Sequence, residues 1–308
     1  MLVNPFRLAL VGAGRMGSTH ARALGGAGGI EVSAVVEPSD QAVARLGLGP
    51  HRYRDVGELL VADRPDGALV AVPSRIHGEV VSSLLRAGVP VLCEKPLGLT
   101  TGAALELGQL ARTTGVPLVV GYWRRFVPEL RALREQVTAG ELGEVQFILC
   151  AQWDERPPPV AFRDPASSGG ILIDMGVHEI DQIRWLLGQE IEQASGFAAS
   201  VGSEAPVPGD PESVSIAARL SGGATALITL IRRHPPGEMV RVEIVGTERA
   251  VRLEPIAPPD GEDRLLIALR AQLEDFVVAA RGGRANGATP ADALAALRAV
   301  EGISLRFR

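Results

Sequence analysis

A glycine-rich turn lies near the start of the chain, between the apolar run Leu8–Val11 and a helical stretch. Glycines let the backbone turn tightly and approach a pyrophosphate, which the free N–H groups of the following helix can bind. The pattern predicts a dinucleotide-binding turn; the alternative is a glycine turn in an α/β protein without a cofactor. The candidate cofactor-binding residues are Gly12, Gly14, Arg15, Met16 and Gly17.

An acidic residue, Glu37, directly follows the next apolar run, Ile30–Val36. In dinucleotide-binding folds, a carboxylate about 20 residues after the glycine turn binds the ribose hydroxyls. A carboxylate at this place repels a 2′-phosphate, and no arginine pair directly follows Glu37 to bind one. The sequence therefore favours NAD over NADP.

A lysine stands in the segment Glu94-Lys95-Pro96, directly after the apolar run Val89–Cys93. Ligands of doubly wound sheets bind at the carboxyl ends of the strands, and this lysine occupies such an end. An amine there can share a proton with a reacting oxygen. The alternative is a solvated loop lysine before a proline.

An acidic residue and a histidine, Asp174 and His178, are four positions apart in a long helical stretch, Ile171–Leu187. This spacing places both on one helix face, where a carboxylate can orient an imidazole that acts as a general base. The alternative is a capped or surface pair. Asp181 lies on nearly the same face, but the three residues are not the ligand set of a catalytic zinc helix, so no metal is expected.

The elements that must position these residues change in type along the chain. Over the first 120 residues or so, short apolar runs alternate with helical stretches, which is typical of an α/β protein with a parallel sheet. We therefore predict a doubly wound Rossmann domain over residues 1–123. Its predicted strands are Arg7–Val11, Ile30–Val36, Gly67–Val72, Val89–Cys93 and Leu118–Val120.

Beyond residue 124, strand-like runs follow one another without helices between them, which predicts an antiparallel sheet. We assign residues 124–308 to an α+β domain that binds substrate and forms the oligomer. Two helices, Arg264–Ala280 and Ala291–Leu305, are predicted at its end, and we expect the last to pack back on the Rossmann domain. The predicted strands are Glu144–Trp153, Gln193–Val201, Ser213–Leu220, Thr225–Ile231, Val240–Val245 and Ala250–Leu253.

The composition excludes several classes of partner. The chain has 308 residues, with 31 Lys+Arg against 36 Asp+Glu and a net charge of −5. It lacks the basic excess of proteins that bind nucleic acid or anionic membranes, and no apolar run approaches the ~20 residues of a spanning helix. Cys93 and Cys150 lie in apolar runs, which favours reduced thiols. With no signal-peptide pattern, we expect a cytoplasmic protein.

Taken in order along the chain, these motifs closely resemble the family of glucose–fructose oxidoreductases, inositol dehydrogenases and related sugar dehydrogenases, the Gfo/Idh/MocA family. The resemblance covers essentially the whole chain and is strongest for the inositol 2-dehydrogenase branch, which also carries an Arg-Arg-Phe-type segment. Beyond the glycine turn and Glu37, the segments that carry it are 73–77, 94–96, 120–126 and 169–178.

The resemblance implies a Rossmann domain followed by an open-faced, mostly antiparallel sheet that forms a homodimer or homotetramer. It also implies roles for three residues in the oxidation of a polyol or sugar. His178 takes the proton from a secondary hydroxyl, Asp174 orients His178, and Lys95 hydrogen-bonds the reacting oxygen while hydride passes to the nicotinamide.

The remaining candidates come from their positions relative to the matched motifs. Further cofactor-binding candidates are Pro73, His77 and Glu94, and substrate-binding candidates are Arg125, Asp154 and Arg163. His77 is expected to line the nicotinamide region, with a packed histidine as the alternative. The alternatives for the substrate candidates are an arginine paired with surface acids, a turn cap and an exposed loop arginine.

One segment departs from the family. Inositol dehydrogenases tend to have a tyrosine shortly before the strand that matches residues 242–246, and this chain has His234-Pro235-Pro236-Gly237-Glu238 there. We therefore keep cyclitols, free sugars and the sugar moieties of glycosides as candidate substrates. Two other functions stay open: an NAD-dependent glycosidase or lyase that oxidises transiently, and a non-catalytic dinucleotide sensor.

Overall fold

The computed structural model describes residues 4–25, 28–48, 51–202 and 207–307. They form two compact units. The first contains the chain up to Trp123 together with Leu266–Leu294, and the second contains Arg124–Leu265 and the chain from Ala295 onward. The sequence-based division assigned residues 124–308 to the second domain and expected the last helix to pack back on the first; in the structure the first unit includes Leu266–Leu294 of the tail.

The first unit contains a six-stranded parallel sheet in the order β3-β2-β1-β4-β5-β6. This is the strand order of a dinucleotide-binding Rossmann fold, so the predicted fold class is confirmed. The sequence missed β3, which is short and largely exposed. The strands are β1 (Phe6–Val11), β2 (Ile30–Val36), β3 (His51–Tyr53), β4 (Gly67–Val70), β5 (Val91–Cys93) and β6 (Leu118–Val120).

Helices connect successive strands of this sheet, as right-handed crossovers between parallel strands require. Several begin at residues whose side chains cap them; the hydroxyl of Thr100, for example, accepts a hydrogen bond from Ala103 N at the start of α5. The helices are α1 (Arg15–Leu24), α2 (Asp40–Leu46), α3 (Val56–Ala62), α4 (His77–Arg86) and α5 (Thr101–Thr114).

The second unit is built on a seven-stranded sheet in the order β12-β11-β7-β10-β9-β8-β13. Most neighbours are antiparallel, but β7 pairs with β10 in parallel, and so does β8 with β13. The sheet is therefore mixed. The strands are β7 (Val145–Trp153), β8 (Ile191–Ala199), β9 (Ser213–Leu220), β10 (Thr225–Ile231), β11 (Met239–Gly246), β12 (Ala250–Ile256) and β13 (Ser304–Phe307).

Helices cover one face of this sheet, with α6 against β12 and α9 against β7. The predicted helix Ile171–Leu187 is not uniform, because a π-helical turn over Leu172–Gly176 precedes its regular part. In that turn Val177 N donates to the carbonyl of Leu172, five residues earlier. The helices are α6 (Pro128–Thr138), α7 (Val160–Arg163), α8 (Pro165–Ser168) and α9 (Val177–Leu187).

The tail contains helices α10 (Gly261–Ala280) and α11 (Pro290–Glu301) before β13. Leu273 and Phe276 of α10 are buried in the core of the first unit, where the Phe276 ring meets Phe6 edge-on at 6.1 Å between centroids. The expected last helix, Ala291–Leu305, is too long, because the chain leaves the helix after Glu301 and pairs with β8. None of the described helices is long and apolar enough to cross a membrane.

Candidate active site

The glycine turn of the first unit joins the end of β1 to the start of α1. Gly12 has φ +100°, and a Cβ there would lie 2.5 Å from the carbonyl oxygen of Ala71. A Cβ on Gly17 would collide with the carbonyl oxygen of Gly12. Only glycine fits these two positions, since the backbone of the turn packs against itself and against the chain after β4.

Gly14, in contrast, faces open space. It is the N-cap of α1, and nothing lies within 4 Å of the position that a Cβ would take. Arg15, the first residue of the helix, is exposed, and Met16 is half-buried. An N-cap without a side chain leaves the N–H groups of the first helical turn available to an anion. The turn therefore has the shape and the donors that a dinucleotide phosphate needs.

Glu37 lies at the end of β2, beside this turn. Its Oε2 accepts a hydrogen bond from Ala13 N at 2.9 Å, and its Oε1 accepts one from Ser39 N at 2.9 Å. The carboxylate is thus held in one orientation at the carboxyl end of the sheet, where a ribose is bound in this fold. The structure also brings an arginine here: Arg52, at β3, donates to the carbonyl oxygens of Glu37 and Pro38.

Lys95 follows β5 and is half-buried. Its backbone N–H donates to Oε2 of Glu94 at 3.2 Å, and the Lys95–Pro96 peptide bond is cis. Lys95 is also the only lysine in the sequence, although the chain has 31 Lys+Arg residues. The one side-chain amine of this protein therefore lies at the carboxyl end of the dinucleotide-binding sheet.

Glu94 is buried and contacts helix α1. Its Oε1 lies 2.6 Å from Nε2 of His20, which is fully buried. Burial alone would raise the pKa of Glu94, but the hydrogen bond with His20 and the nearby charges of His20 and Lys95 lower this pKa below its ordinary value. Glu94 is therefore a carboxylate that holds the Lys95 turn against the helix of the glycine turn.

Pro73 and His77 lie after β4, at the same edge of the sheet. Pro73 is exposed and precedes a 3-10 turn, Ser74–Ile76. His77 is buried, with Nδ1 at 2.7 Å from the carbonyl oxygen of Pro96 and Nε2 at 2.9 Å from that of Val72. Both ring nitrogens of His77 are thus used to hold the backbone on either side of the predicted nicotinamide region.

In the second unit, Asp174 lies in the π-helical turn and His178 in the first turn of α9. The sequence predicted a regular helix here, and the structure corrects the type of helix, because Asp174 lies in a π-helical turn. Turns of this kind often occur at functional sites. His178 is buried, at 6% exposure.

A buried arginine, Arg232, binds Asp174. Its Nη1 donates to Oδ2 of Asp174 at 2.7 Å, and its Nη2 donates to Oδ1 of Asp210 at 2.8 Å. Oδ2 of Asp154 lies 4.0 Å from Nη1 of the same guanidinium. Two of the predicted site residues, Asp154 and Asp174, thus lie beside a cation that was not predicted from the sequence.

Asp154 and Arg163 have different environments. Asp154 is partly exposed and accepts a hydrogen bond from Gln152 Nε2 at 3.0 Å. Arg163 is buried, and its guanidinium contacts Asp210 at 2.5 Å and Glu212 at 2.8 Å. Asp154 is thus accessible to a ligand, whereas Arg163 is not, because its charge is neutralised inside the protein.

The Arg-Arg-Phe segment also forms buried ion pairs. Arg125 donates to both carboxylate oxygens of Asp181, at 2.6 and 3.0 Å. Arg124 donates to Glu179 at 2.6 Å and to Gln152 at 2.7 Å. Burial raises the pKa of Glu179 above its ordinary value, although Arg124 opposes this. Arg125 was predicted to contact substrate, with pairing to surface acids as the alternative; its partner in the structure is a buried aspartate.

Residues 234–238, where inositol dehydrogenases tend to have a tyrosine, follow β10 and lie beside the end of β7. The ring of His234 is tilted against Trp153, with 5.1 Å between the centroids, and its Nδ1 contacts the carbonyl of Gly237 at 2.5 Å. Trp153 donates to Thr229, and its side chain lies on the sheet face opposite to that of Gln152.

Two residues near these sites were missed by sequence reasoning, His20 and Arg232. His20 is one helical turn after Gly17, but a histidine in an amphipathic helix gives no sign of a buried partner that is 74 positions away. Arg232 carried a weak signal, since it is a cation directly after a buried strand. Its position beside Asp154 depends on the parallel pairing of β7 with β10, which could not be predicted from the sequence.

Two family models match the chain. Residues 6–122 match an oxidoreductase family with an NAD-binding Rossmann fold, and residues 130–252 match the GFO/IDH/MocA C-terminal domain. One match falls in each unit, and the tail beyond residue 252 lies outside both matches. The open space beside Gly14 and the fixed carboxylate of Glu37 fit NAD, which would be held by the glycine turn and by this acidic residue.

Known proteins are similar over nearly the whole chain. The rhizopine catabolism protein MocA of Rhizobium meliloti is 46% identical over 299 residues, which is 96% of this chain and 93% of that protein. The myo-inositol dehydrogenase Hyg17 of Streptomyces leeuwenhoekii is 37% identical, over 91% of this chain and 90% of that protein.

A solved structure agrees in fold. The crystal structure of GenD2 from gentamicin A biosynthesis, in complex with NAD, superposes with a TM-score of 0.89 at 26% identity, covering 98% of this chain and 94% of that one. Sequence similarity, family models and fold lead to the same conclusion. This chain belongs to the GFO/IDH/MocA family of oxidoreductases, and its first unit is the NAD-binding Rossmann domain of that family.

Proposed function

We propose that this protein is an NAD-dependent dehydrogenase that oxidises a secondary hydroxyl of a sugar or cyclitol. The similar protein Hyg17 is named a myo-inositol dehydrogenase, which supports a cyclitol as the first substrate to test. The match to an NAD-binding oxidoreductase family supports NAD as the oxidant. When bound, NAD accepts a hydride from the carbon that carries the hydroxyl.

The observation that carries the proposal is the place of Lys95. Arginine supplies nearly every cationic side chain of this sequence, and a lysine occurs only at the carboxyl end of β5. A guanidinium cannot give up its proton in a protein, whereas an ammonium can share one. A unique amine at this edge of a dinucleotide-binding sheet suits a group that shares its proton with a substrate oxygen through a hydrogen bond.

We assign the remaining chemistry to Asp174 and His178. His178 takes the hydroxyl proton as general base, Asp174 orients and stabilises the imidazole, and Lys95 donates a hydrogen bond to the oxygen as it becomes a carbonyl. Asp154 is assigned to a hydroxyl group of the substrate, whereas the charge of Arg125, like that of Arg163, is paired with a buried carboxylate. Positioned acid–base groups of this kind contribute about 10²–10⁴-fold each to the rate.

The test is a screen of cyclitols, aldoses and glycosides with NAD, followed by the appearance of reduced cofactor. With the best substrate, Lys95→Arg and His178→Gln should lower kcat/KM by about 10²–10⁴-fold and leave the Kd for NAD within about threefold. His51→Gln, at an exposed strand, is the matched control for the histidine variant. Wild-type turnover by both Lys95 and His178 variants would refute the assigned chemistry.

The same screen separates the other two functions. Release of an aglycone from a glycoside without net reduced cofactor would identify transient oxidation, as in an NAD-dependent glycosidase or lyase. Tight NAD binding with no turnover on any compound would favour a dinucleotide sensor. Lys95 argues against the sensor, because NAD binding by the glycine turn and Glu37 needs no amine at β5.

We also propose that the second sheet forms a homodimer or homotetramer. Its face opposite the helices presents a cross-strand row of apolar side chains, Leu149 beside Leu227 and Ala217, and Phe197 on β8 is 65% exposed. Burying such a patch against a second copy removes apolar surface from water. Light scattering should give a mass of two or four chains, and Leu227→Arg should lower it.

A further inference from the structure

The carboxyl ends of β7 and β10 carry an acidic and a basic residue side by side. These strands are parallel, and Ile231 pairs with Trp153 at their ends. The next residues, Arg232 and Asp154, are therefore neighbours, with 4.0 Å between the guanidinium Nη1 and the carboxylate Oδ2. Arg232 has no exposed surface. A charge at such a position needs partners, because an unpaired buried ion is strongly disfavoured.

Two carboxylates from different segments supply those partners. Asp174 in the π-helical turn accepts from Nη1 at 2.7 Å, and Asp210, just before β9, accepts from Nη2 at 2.8 Å. Burial would lower the pKa of Arg232, but Asp174 and Asp210 raise it above its ordinary value. Arg232 is thus a permanent cation, and its field favours the ionised form of Asp174.

Asp210, the anchor of Arg232, is itself held in place by Arg163. Asp210 uses its other oxygen, Oδ2, to accept from Nε of Arg163 at 2.5 Å, and Arg163 also pairs with Glu212 at 2.8 Å. Arg163, Asp210, Arg232 and Asp174 therefore form one chain of ion pairs. Each planar guanidinium bridges two acceptors, which fixes its direction as a lysine could not.

We infer that Arg232 is a positioning residue that acts through Asp174. It holds the carboxylate in one direction and keeps it ionised, so that Asp174 can orient His178. This inference rests on the proposed function, in which Asp174 and His178 are catalytic residues. Arg232 itself is assigned no contact with substrate or NAD.

The experiment compares Arg232→Met, Arg232→Lys and Asp174→Asn with the best substrate found in the screen. Arg232→Met should lower kcat on the order of 10²-fold, as expected for a misplaced catalytic group, with Kd for NAD unchanged. It should also move the acid limb of the pH–rate profile to higher pH, since Asp174, which shares this guanidinium with Asp154 and Asp210, then lacks the cation that favours its ionised form. Arg232→Lys should return the acid limb toward that of wild type but restore only part of kcat.

Controls separate positioning from folding. Arg249→Met removes an arginine from the exposed pair with Glu141, and it should leave kcat and the pH profile unchanged. If Arg232→Met does not fold, Asp210→Asn replaces it and should give a smaller loss of kcat, because the anchor is weakened while Arg232 and Asp174 remain. Its acid limb should not move to higher pH, since this variant removes an anion and keeps the cation.

The outcomes distinguish the two hypotheses. If Asp174→Asn turns over like wild type, the catalytic set assigned under the proposed function fails, since Asp174 is then not catalytic. If Asp174→Asn is impaired but Arg232→Met, or Asp210→Asn in its place, keeps the wild-type kcat and pH profile, the role of Arg232 is refuted. The positioning role of Arg232 is also refuted if Arg232→Met loses kcat without a shift of the acid limb and Arg232→Lys does not relieve that loss. The role of Arg232 is then purely structural.

Discussion

The Nε2 atom of His20 lies 2.6 Å from Oε1 of Glu94, and both side chains are buried in the first unit. The contact joins helix α1, which starts at the glycine turn, to the turn that carries Lys95. Because Glu94 also accepts a hydrogen bond from the backbone N–H of Lys95, one carboxylate links helix α1 to the turn that carries the only lysine of the sequence.

A double-mutant cycle should detect this link. His20→Leu leaves the buried carboxylate without its donor, and Glu94→Met leaves the ring without its acceptor, so each single variant should lose stability. The double variant should lose less than the sum, with a coupling of about 1.5–3 kcal/mol, as for hydrogen bonds to charged groups. Urea unfolding measures the free energies, with His51→Gln as control. Additive losses would mean that the pair is not coupled.

The ionisation of Glu94 gives a pH dependence of known sign. The ordinary pKa is 4.5, and the pKa of Glu94 in the folded protein is lower, although burial opposes this. The charged carboxylate therefore adds stability above about pH 4.5, and this contribution is lost as the pH falls through the folded-state value. The Tm advantage of wild type over Glu94→Gln should be constant near neutral pH and shrink in acid. An advantage that grows in acid would contradict the prediction.

Two alanine substitutions in the glycine turn should affect different properties: Gly14→Ala the affinity for NAD, and Gly17→Ala the stability of the fold. Gly14→Ala places a methyl group in open space, and the backbone at Gly14, with φ −71° and ψ −164°, suits any residue. The Tm of the cofactor-free protein should not change, but the Kd for NAD should rise at least about tenfold, a cost of about 1.4 kcal/mol. Calorimetric titration with NAD measures this. An unchanged Kd would show that the pyrophosphate lies elsewhere.

Gly17→Ala should instead act on the fold. Its methyl group would collide with the carbonyl oxygen of Gly12, so the turn must open. We expect a loss of about 1–3 kcal/mol, typical of overpacking, in the free energy of unfolding without cofactor. A Gly17→Ala protein as stable as Gly14→Ala would show that the turn relaxes at no cost.

Glu37 should decide between NAD and NADP, with help from Arg52. Glu37→Ser removes the repulsion of a 2′-phosphate, and the guanidinium of Arg52 lies on the adjacent backbone. We expect the Kd for NAD to rise about tenfold and NADP binding to become measurable. Adding Arg52→Ala should abolish the NADP binding. NADP affinity that does not depend on Arg52 would contradict this role.

Both thiols should be unreactive in the native protein. Cys93 and Cys150 are fully buried, and burial raises the pKa of each thiol well above its ordinary value. Since the thiolate is the reactive form, a disulfide reagent should label neither cysteine until the chain is unfolded, when both should react. Fast labelling of one native thiol would show that the unit around it opens.

The sequence alone determined the parts of this protein that depend on neighbours along the chain. The glycine turn, Glu37 and the turn with Lys95 each follow an apolar run, so their place at strand ends could be predicted from local pattern. Most helices and strands could also be predicted from local pattern. The exceptions are β3, which is short and exposed, and β13, which was predicted as the end of the last helix. For the catalytic set, the sequence supplied residue types and a family resemblance, and their roles remain predictions.

Only the tertiary structure decided what surrounds these residues. Arg163 was predicted to contact substrate, but burial against Asp210 and Glu212 uses its charge inside the protein. Arg232 and His20 gained their partners through strand pairing and helix packing between segments 58 and 74 positions apart. Local pattern fixes which face of an element is apolar, whereas the partner of a buried charge depends on which distant elements become neighbours. That choice is made by the whole fold, because only there must every buried charge be compensated.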